Sequence, residues 1–527
     1  MKKNFKIMNL VLVLCMVFVL AACSNNNATP DSAATLSGAN ETESTSASAP
    51  VEPSTKTDLI IAISGEPTTL DPYAHSLYYG FIPATLIFDT LIAKDKDGNY
   101  IPELATEWNF VDDTTLDLKL REGVTFQNGD PLTAEDVKFT LATAAASSFS
   151  GTLFASIDLD NTTVIDANNI EIKLKYPYAP LLDVLSSYRS SIIDKKAYET
   201  DPAAYGRNPI GTGPMALSNW VSGDRIELTA NENYWGDTLA FSKCIFRVIV
   251  EATSRTIELE TGGVDIAVDI PFSDWTRVSE SKDIQLVKGQ TYVLASLVFN
   301  NSLDLFKDVR VRQALAYGLN VDALVQTVWE GTAEVADSYY AKNLLGYKKE
   351  GPMEYNVEKA KALLAEAGYP DGFTFTYTTY QTTLNQAFSE VVQSMWKEIG
   401  VTMNIEVVDL ATFTSMNNAG QLTAALLTPN VPIGDPAAAL ILWPITRTIS
   451  LRHNDNHIQE LLDQGSSTYD TDKRIAIYQE LQDYLYTNTY TVPIAYPTFA
   501  FGISNKVSGF TFEPSQVPDL KTVSVSN

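Results

Sequence analysis

The chain has 527 residues, 45% of them hydrophobic, and carries 37 Lys+Arg against 64 Asp+Glu, a formal net charge of −27. Acidity of this degree repels phosphate and no basic stripe interrupts it, so no nucleic-acid partner is expected. Charge of this sign mainly keeps a protein soluble outside the cytoplasm.

The chain opens with Lys2, Lys3 and Lys6, followed by the apolar run LVLVLCMVFVLAA over residues 10–22. The run is short for a membrane span and ends in small residues, the layout of a secretory signal over residues 1–22. Leu20-Ala21-Ala22-Cys23 resembles a bacterial lipobox, in which the cysteine thiol is acylated and becomes the new N-terminus. Loss of the three lysines with the leader takes the net charge from −27 to −30. Residues 23–57 are rich in Ser, Thr, Asn and Ala with few large apolar side chains. Such a segment cannot bury enough surface to offset its ordering entropy, so it is read as a disordered tether from a lipidated Cys23. The protein is thereby expected to be lipid-anchored to the cell membrane, at the cell surface or periplasmic side, without spanning it. Beyond Cys15 and Cys23 only Cys244 remains, so no internal disulfide can form. The body of about 470 residues is long enough to build its own core, and long enough for more than one lobe.

From residue 58 strands and helices alternate. TDLIIAIS (57–64) is a strand bounded by Gly65 and Pro67, and DKDGN (95–99) is a hairpin turn. TTLDLKLREGVTF (114–126) alternates as a half-buried strand turning into a second. PLTAEDVKFTLATAA (131–145) is a helix with Thr133 and Asp136 in capping-box spacing. NNIEIKLKYP (168–177), DRIELTANENYW and CIFRVIVEA are further strands. DVRVRQALAYGLNVDALVQTVW (308–329) reads as helical, as does NVEKAKALLAEAG (356–368), closed by Gly368. TDKRIAIYQELQDYLYT (471–487) puts Ile477, Tyr478, Leu481, Tyr484 and Leu485 on one face. No internal repeat is visible.

Signals for catalysis are weak. The three histidines are His75, His453 and His457, and no G-x-S-x-G elbow occurs. NPIGTGPM (208–215) lacks the Lys-Ser/Thr of a phosphate loop and reads as a tight turn at Gly211, Gly213 and Pro214. His453 and His457 have helical ligand spacing, but HNDNH is a helix-poor stretch. No enzyme activity, cofactor or protein-held metal is expected.

Several collinear segments resemble the peptide/nickel family (family 5) of extracellular solute-binding lipoproteins that serve ABC importers. They are SGEPTTLDPY (64–73), IFDTLIAKDKDGNYIPELATEWNFVDDTTLDLKLREGVTFQNGDPLTAEDVKFTL (87–141), NPIGTGPM, NENYWG (231–236), DVRVRQALAYGLN (308–320), YNVEKAKALLAEAGYPDGF (355–373), GDP (434–436) and VPIAYP (492–497). The resemblance implies an α/β, two-lobed periplasmic-binding-protein-like fold (type II, cluster C) with an extra subdomain in lobe I. Lobe I is expected over 58–287, with the subdomain near 95–205, lobe II over 288–494, and a C-terminal return to lobe I over 495–527. It also implies capture of small peptides or related carboxylate-bearing solutes by hinge closure, and delivery to ABC permease subunits by a monomer. The alternatives are binding of a nickel or metallophore chelate, and a peptide-sensing receptor.

In peptide-binding members an acid just before the Asp-Pro pair holds the peptide ammonium; here TAALLTPNVPIG (423–434) contains none, and Pro432 stands at the expected place. In nickel- and metallophore-binding members an arginine downstream of a Y-x-P motif binds carboxylates; here YAPLLDVLSSYR (178–189) places Arg189 there. A guanidinium suits a carboxylate because its planar fork forms two charge-assisted bonds. The resemblance also places His75 at the cleft, with Tyr78 and Tyr79 behind it, and offers Trp443 and Arg447 as candidates from lobe II.

Overall fold

The computed structural model describes residues 58–429, 431–437 and 455–526. Two groups of buried side chains define two lobes. The first gathers core residues from Leu59 to Val268 and from Phe499 to Val525; the second gathers them from Leu294 to Tyr496. Val431 and Ile433 cross over to pack with the first group.

A ten-stranded sheet runs through both lobes. Strand Asp58–Ile63 pairs in parallel with Lys243–Val248 and with Ile266–Ala267. The strand Thr491–Ser504 is the element shared by the lobes. Its first half pairs with Ala295–Phe299 and places Val492, Ile494 and Ala495 in the second core. Its second half pairs with Ile284–Gln290 and places Phe499, Phe501 and Ile503 in the first. Paired strands across the boundary restrict relative motion of the lobes to bending and twisting there, which is what a hinge requires.

A four-stranded antiparallel sheet, in the order Ala105–Asp112, Thr115–Leu120, Asn169–Leu174, Ile157–Val164, lies within the span expected for the subdomain. The alternation read at 114–126 holds only for its first part, since after Leu120 the chain turns rather than starting a second strand. The helix Ala134–Ala146 begins with the anticipated capping box: Thr133 N donates to Asp136 Oδ2 at 2.9 Å. The single helix read over 308–329 is two, Val309–Tyr317 and Val321–Trp329, because Asn320 caps the second by accepting from Ala323 N. On the helix Thr471–Asn488, Tyr478, Leu481 and Leu485 are buried as expected, while Ile477 and Tyr484 are only half-buried.

The family-like motifs converge on structure. Asp89, from the block 87–141, accepts from Thr212 Oγ1 at 3.0 Å, Trp235 Nε1 at 2.9 Å and Lys521 Nζ at 2.7 Å. Lys521 also donates to Glu103 at 2.7 Å. Four segments far apart in sequence thus close one buried charge network, which fastens the C-terminal segment to the first lobe. Gly211 and Gly213 are needed for close approach rather than for an unusual turn: a Cβ at Gly211 would lie 2.2 Å from Ile87 O. In the second lobe Arg312 donates to the carbonyls of Phe306, Lys307, Asn488 and Thr489, and so caps the C-terminal end of the helix Thr471–Asn488.

Candidate ligand-binding site

Arg189 lies on a single 3-10 turn, Tyr188–Ser190, just after the helix Leu181–Ser186. The turn carries the side chain inward, and Arg189 is 6% exposed. The guanidinium sits 4.4 Å from the centroid of the Phe81 ring and 5.6 Å from that of Tyr188. Its Nη1 donates to His75 O at 3.2 Å, the Tyr188 hydroxyl also interacts with the guanidinium, and Nε has no partner. No carboxylate of the described residues pairs with it. A buried cation with open donors and no counter-ion is expensive to maintain, and a bound anion relieves that cost.

His75 is brought to the same place. Its ring is 3% exposed and lies 4.3 Å from Phe81, and neither ring nitrogen closes a hydrogen bond. Gly80 makes room for it, since a Cβ there would meet the ring at 2.6 Å. Burial pushes the imidazole down to about 4, with the Arg189 charge adding to the effect. The unfolded ring takes its proton near 6.5 and the folded ring only near 4. Between those values the unfolded chain binds more protons, so His75 withdraws stability as the pH falls through that window. NMR titration is expected to show the His75 ring neutral at all pH values above about 5, and His75→Phe to remove its share of the acid destabilisation.

Tyr78 and Tyr79 open the helix Tyr78–Ile87 and face a different wall. The Tyr78 hydroxyl shares a 2.8 Å hydrogen bond with Ser64 Oγ, and its ring packs edge-on against Phe499 of the shared strand at 5.6 Å. Tyr79 lies over Gly65. Ser64 and Gly65 follow the strand Asp58–Ile63, so this wall is built at the carboxyl end of the parallel strands, the usual ligand side of an open α/β sheet. Trp443, Arg447 and His453 lie outside the described residues, as does Cys23. His457 stands on the helix Asn456–Ser467 beside Tyr484, half open to solvent.

The sequence reading missed a buried ion pair at the contact between the lobes. Asp435 of the GDP motif pairs with Arg474, at 1% and 8% side-chain exposure. Asp435 also accepts from Ala437 N at 2.9 Å and from the Tyr478 hydroxyl at 3.3 Å. Arg474 Nε donates to Gly465 O at 2.9 Å. Against this assembly lies Tyr178 of the first lobe, 5% exposed, its hydroxyl without a partner and pushed up by burial and by the Asp435 charge. The lobes touch beside it: Ala179 N donates to Ser466 O at 2.7 Å, Tyr469 donates to Asp113 O at 2.8 Å, and the Tyr469 ring meets Phe110 at 5.4 Å. No sequence signal marked Arg474, which looks like one more charge on a helix; its burial follows from the helix lying against the 431–437 segment.

Residues 99–448 match the model of a protein family described as bacterial extracellular solute-binding proteins, family 5 Middle. The glutathione-binding protein GsiB of Salmonella typhimurium is 25% identical over 472 residues, covering 87% of this chain and 92% of that protein. Among solved structures, the periplasmic binding protein DppA of Helicobacter pylori, in complex with the peptide STSA, aligns with a TM-score of 0.79 and 24% identity, over 89% of this chain and 98% of that one. NikA of Staphylococcus aureus, in complex with Ni(L-His)2, aligns at 0.76 and 20% identity over 89% and 100%. With the family match extending over most of the length and a two-lobed α/β architecture shared with these structures, the chain belongs to the bacterial extracellular solute-binding proteins of family 5.

Proposed function

We propose that this protein captures small peptides or related carboxylate-bearing solutes between its lobes and hands them to the permease of an ABC importer. The observation that carries this reading is Arg189, a buried guanidinium with open donors and no carboxylate of its own. A ligand carboxylate completes the site. Ligand contacts to both lobes exist only when the lobes are together, so the ligand binds that form better and shifts the equilibrium toward it. The ligand leaves chemically unchanged. The first lobe is assigned residues 58–287 and the return from 495, the second 288–494; the grouping of core side chains supports this division. Anchoring by a lipidated Cys23, with residues 23–57 as tether, would hold the body near its permease and raise its effective concentration there.

A second reading, binding of a nickel or metallophore chelate, is favoured by the two unpartnered ring nitrogens of His75 beside Arg189. Mass spectrometry of what co-purifies, released by mild denaturation and paired with metal analysis, separates the two. Peptides or other carboxylate-bearing solutes without stoichiometric metal are the expected result. Stoichiometric nickel establishes the second reading, and cleavage of a peptide library by the purified protein overturns both.

A further inference from the structure

The lobes also meet through one short loop. Residues 468–470 join the helices Asn456–Ser467 and Thr471–Asn488, whose buried Leu461 and Tyr478 belong to the second lobe. The loop is fixed at both ends. Thr468 Oγ1 donates back to Gln464 O at 2.7 Å, and Asp470 caps the following helix by accepting from Lys473 N at 3.0 Å. Behind it Arg474, already paired with Asp435, holds the end of the first helix through Gly465 O at 2.9 Å. Tyr469 stands between these fixed neighbours and reaches across to the first lobe.

It lands on a firm surface. Its hydroxyl donates to Asp113 O at 2.8 Å, and its ring meets Phe110 edge-on at 5.4 Å. Both partners belong to the hairpin of Ala105–Asp112 and Thr115–Leu120, whose turn is pinned by Asp112 Oδ1 accepting from Thr114 N at 2.8 Å and from Thr114 Oγ1 at 2.9 Å. Beside this contact Ala179 N donates to Ser466 O at 2.7 Å. Tyr469 is 37% exposed and Asp113 is exposed as well. Among the described residues no hydrogen bond or ring contact joins Tyr469 to Arg189 or His75.

We propose that Tyr469 is a latch between the lobes: with Phe110 and Asp113 it holds them together in the empty protein, and so sets the fraction that is closed before a ligand arrives. Each contact joins one lobe to the other, so each is lost when the hinge opens. An edge-on aromatic pair and a hydroxyl–carbonyl bond are both modest, but a two-state equilibrium responds to modest differences. Apparent affinity scales with the binding-competent fraction, so the latch strengthens capture of every ligand alike and slows its release without touching it. None of this depends on Arg189 being the carboxylate clamp.

Ala179 supplies a native reporter. Its N–H is paired across the lobes, so its hydrogen exchange follows their separation. Two neighbours serve as controls, because their bonds stay within the first lobe: Lys175 N donates to Ser156 O at 2.8 Å and Leu181 N to Tyr178 O at 3.2 Å. The mature chain is stripped of carried-over solute by unfolding and refolding, and exchange is read residue by residue by mass spectrometry with fragmentation. The wild type is expected to protect Ala179. Tyr469→Ala is expected to speed its exchange about tenfold while both controls hold their rates. Tyr469→Phe, which keeps the ring and loses the hydroxyl, is expected to speed it about threefold. An Ala179 amide that is unprotected in the wild type shows lobes that rest apart, and the latch falls. An unchanged rate in Tyr469→Ala overturns it too. Controls that accelerate in step with Ala179 mark a role in the local fold of the first lobe and also overturn the proposal. The Arg189 reading stands through all of these outcomes, since its own test is the solute that is captured.

Discussion

Arg189→Met is expected to raise the dissociation constant of the bound solute at least about thirtyfold, roughly 2 kcal/mol or more. Methionine keeps the unbranched stem that packs beside Phe81 and Tyr188, and removes only the charge and its donors. The empty protein loses little by this change: one 3.2 Å bond to a backbone carbonyl is given up, and an uncompensated buried charge disappears with it. Its melting temperature is therefore expected to hold or rise slightly. Calorimetric titration with the co-purifying solute, beside a thermal scan of ligand-free protein, gives both numbers. A large fall in the melting temperature with unchanged affinity would make Arg189 a structural residue and remove the clamp.

Asp435→Ala is expected to act in the opposite way, lowering stability by about 3–5 kcal/mol. The substitution leaves the Arg474 guanidinium buried without a counter-charge among the described residues, and strips Tyr478 and Ala437 of their acceptor. Replacing both partners, Asp435→Leu with Arg474→Met, is expected to recover much of that loss, since no charge then remains buried. As a reference, Lys96→Ala breaks an ion pair with Asp97 that is open to solvent on both sides, and less than about 1 kcal/mol is expected there. Denaturant unfolding of the three variants beside the wild type checks the order. A single Asp435→Ala variant as stable as the wild type would show that the pair is not load-carrying in the second lobe.

Much of the fold could be read from residue patterns because its signals are local. The capping box at Thr133 and Asp136, the positive-φ glycine Gly368 closing a helix, and the alternation in Asn169–Leu174 each depend on neighbours in sequence. The break between Tyr317 and Val321 was missed because apolar periodicity continues on both sides of it, while the evidence for the break is a side-chain cap at Asn320. The motif blocks that mark the family turned out to describe scaffolding. Asp89, Glu103, Thr212, Trp235 and Lys521 meet in one network, and Arg312 caps a helix that begins more than one hundred residues later.

The sequence by itself determined the leader-like start, the α/β alternation and the absence of an internal disulfide framework, because composition and spacing are properties of the chain alone, while the candidacy of Arg189 and His75 came from the resemblance to the family. Tertiary structure alone decided which charges are buried and which are paired. Arg189 and Arg474 look alike in sequence; one meets a carboxylate across the second lobe and the other meets aromatic faces and an open space. Lys521 carries no local mark, and its place beside Asp89 and Glu103 depends on a C-terminal segment returning to the first lobe hundreds of residues later in the chain. Electrostatic environment is set by neighbours in space, and those are known only once the chain has folded.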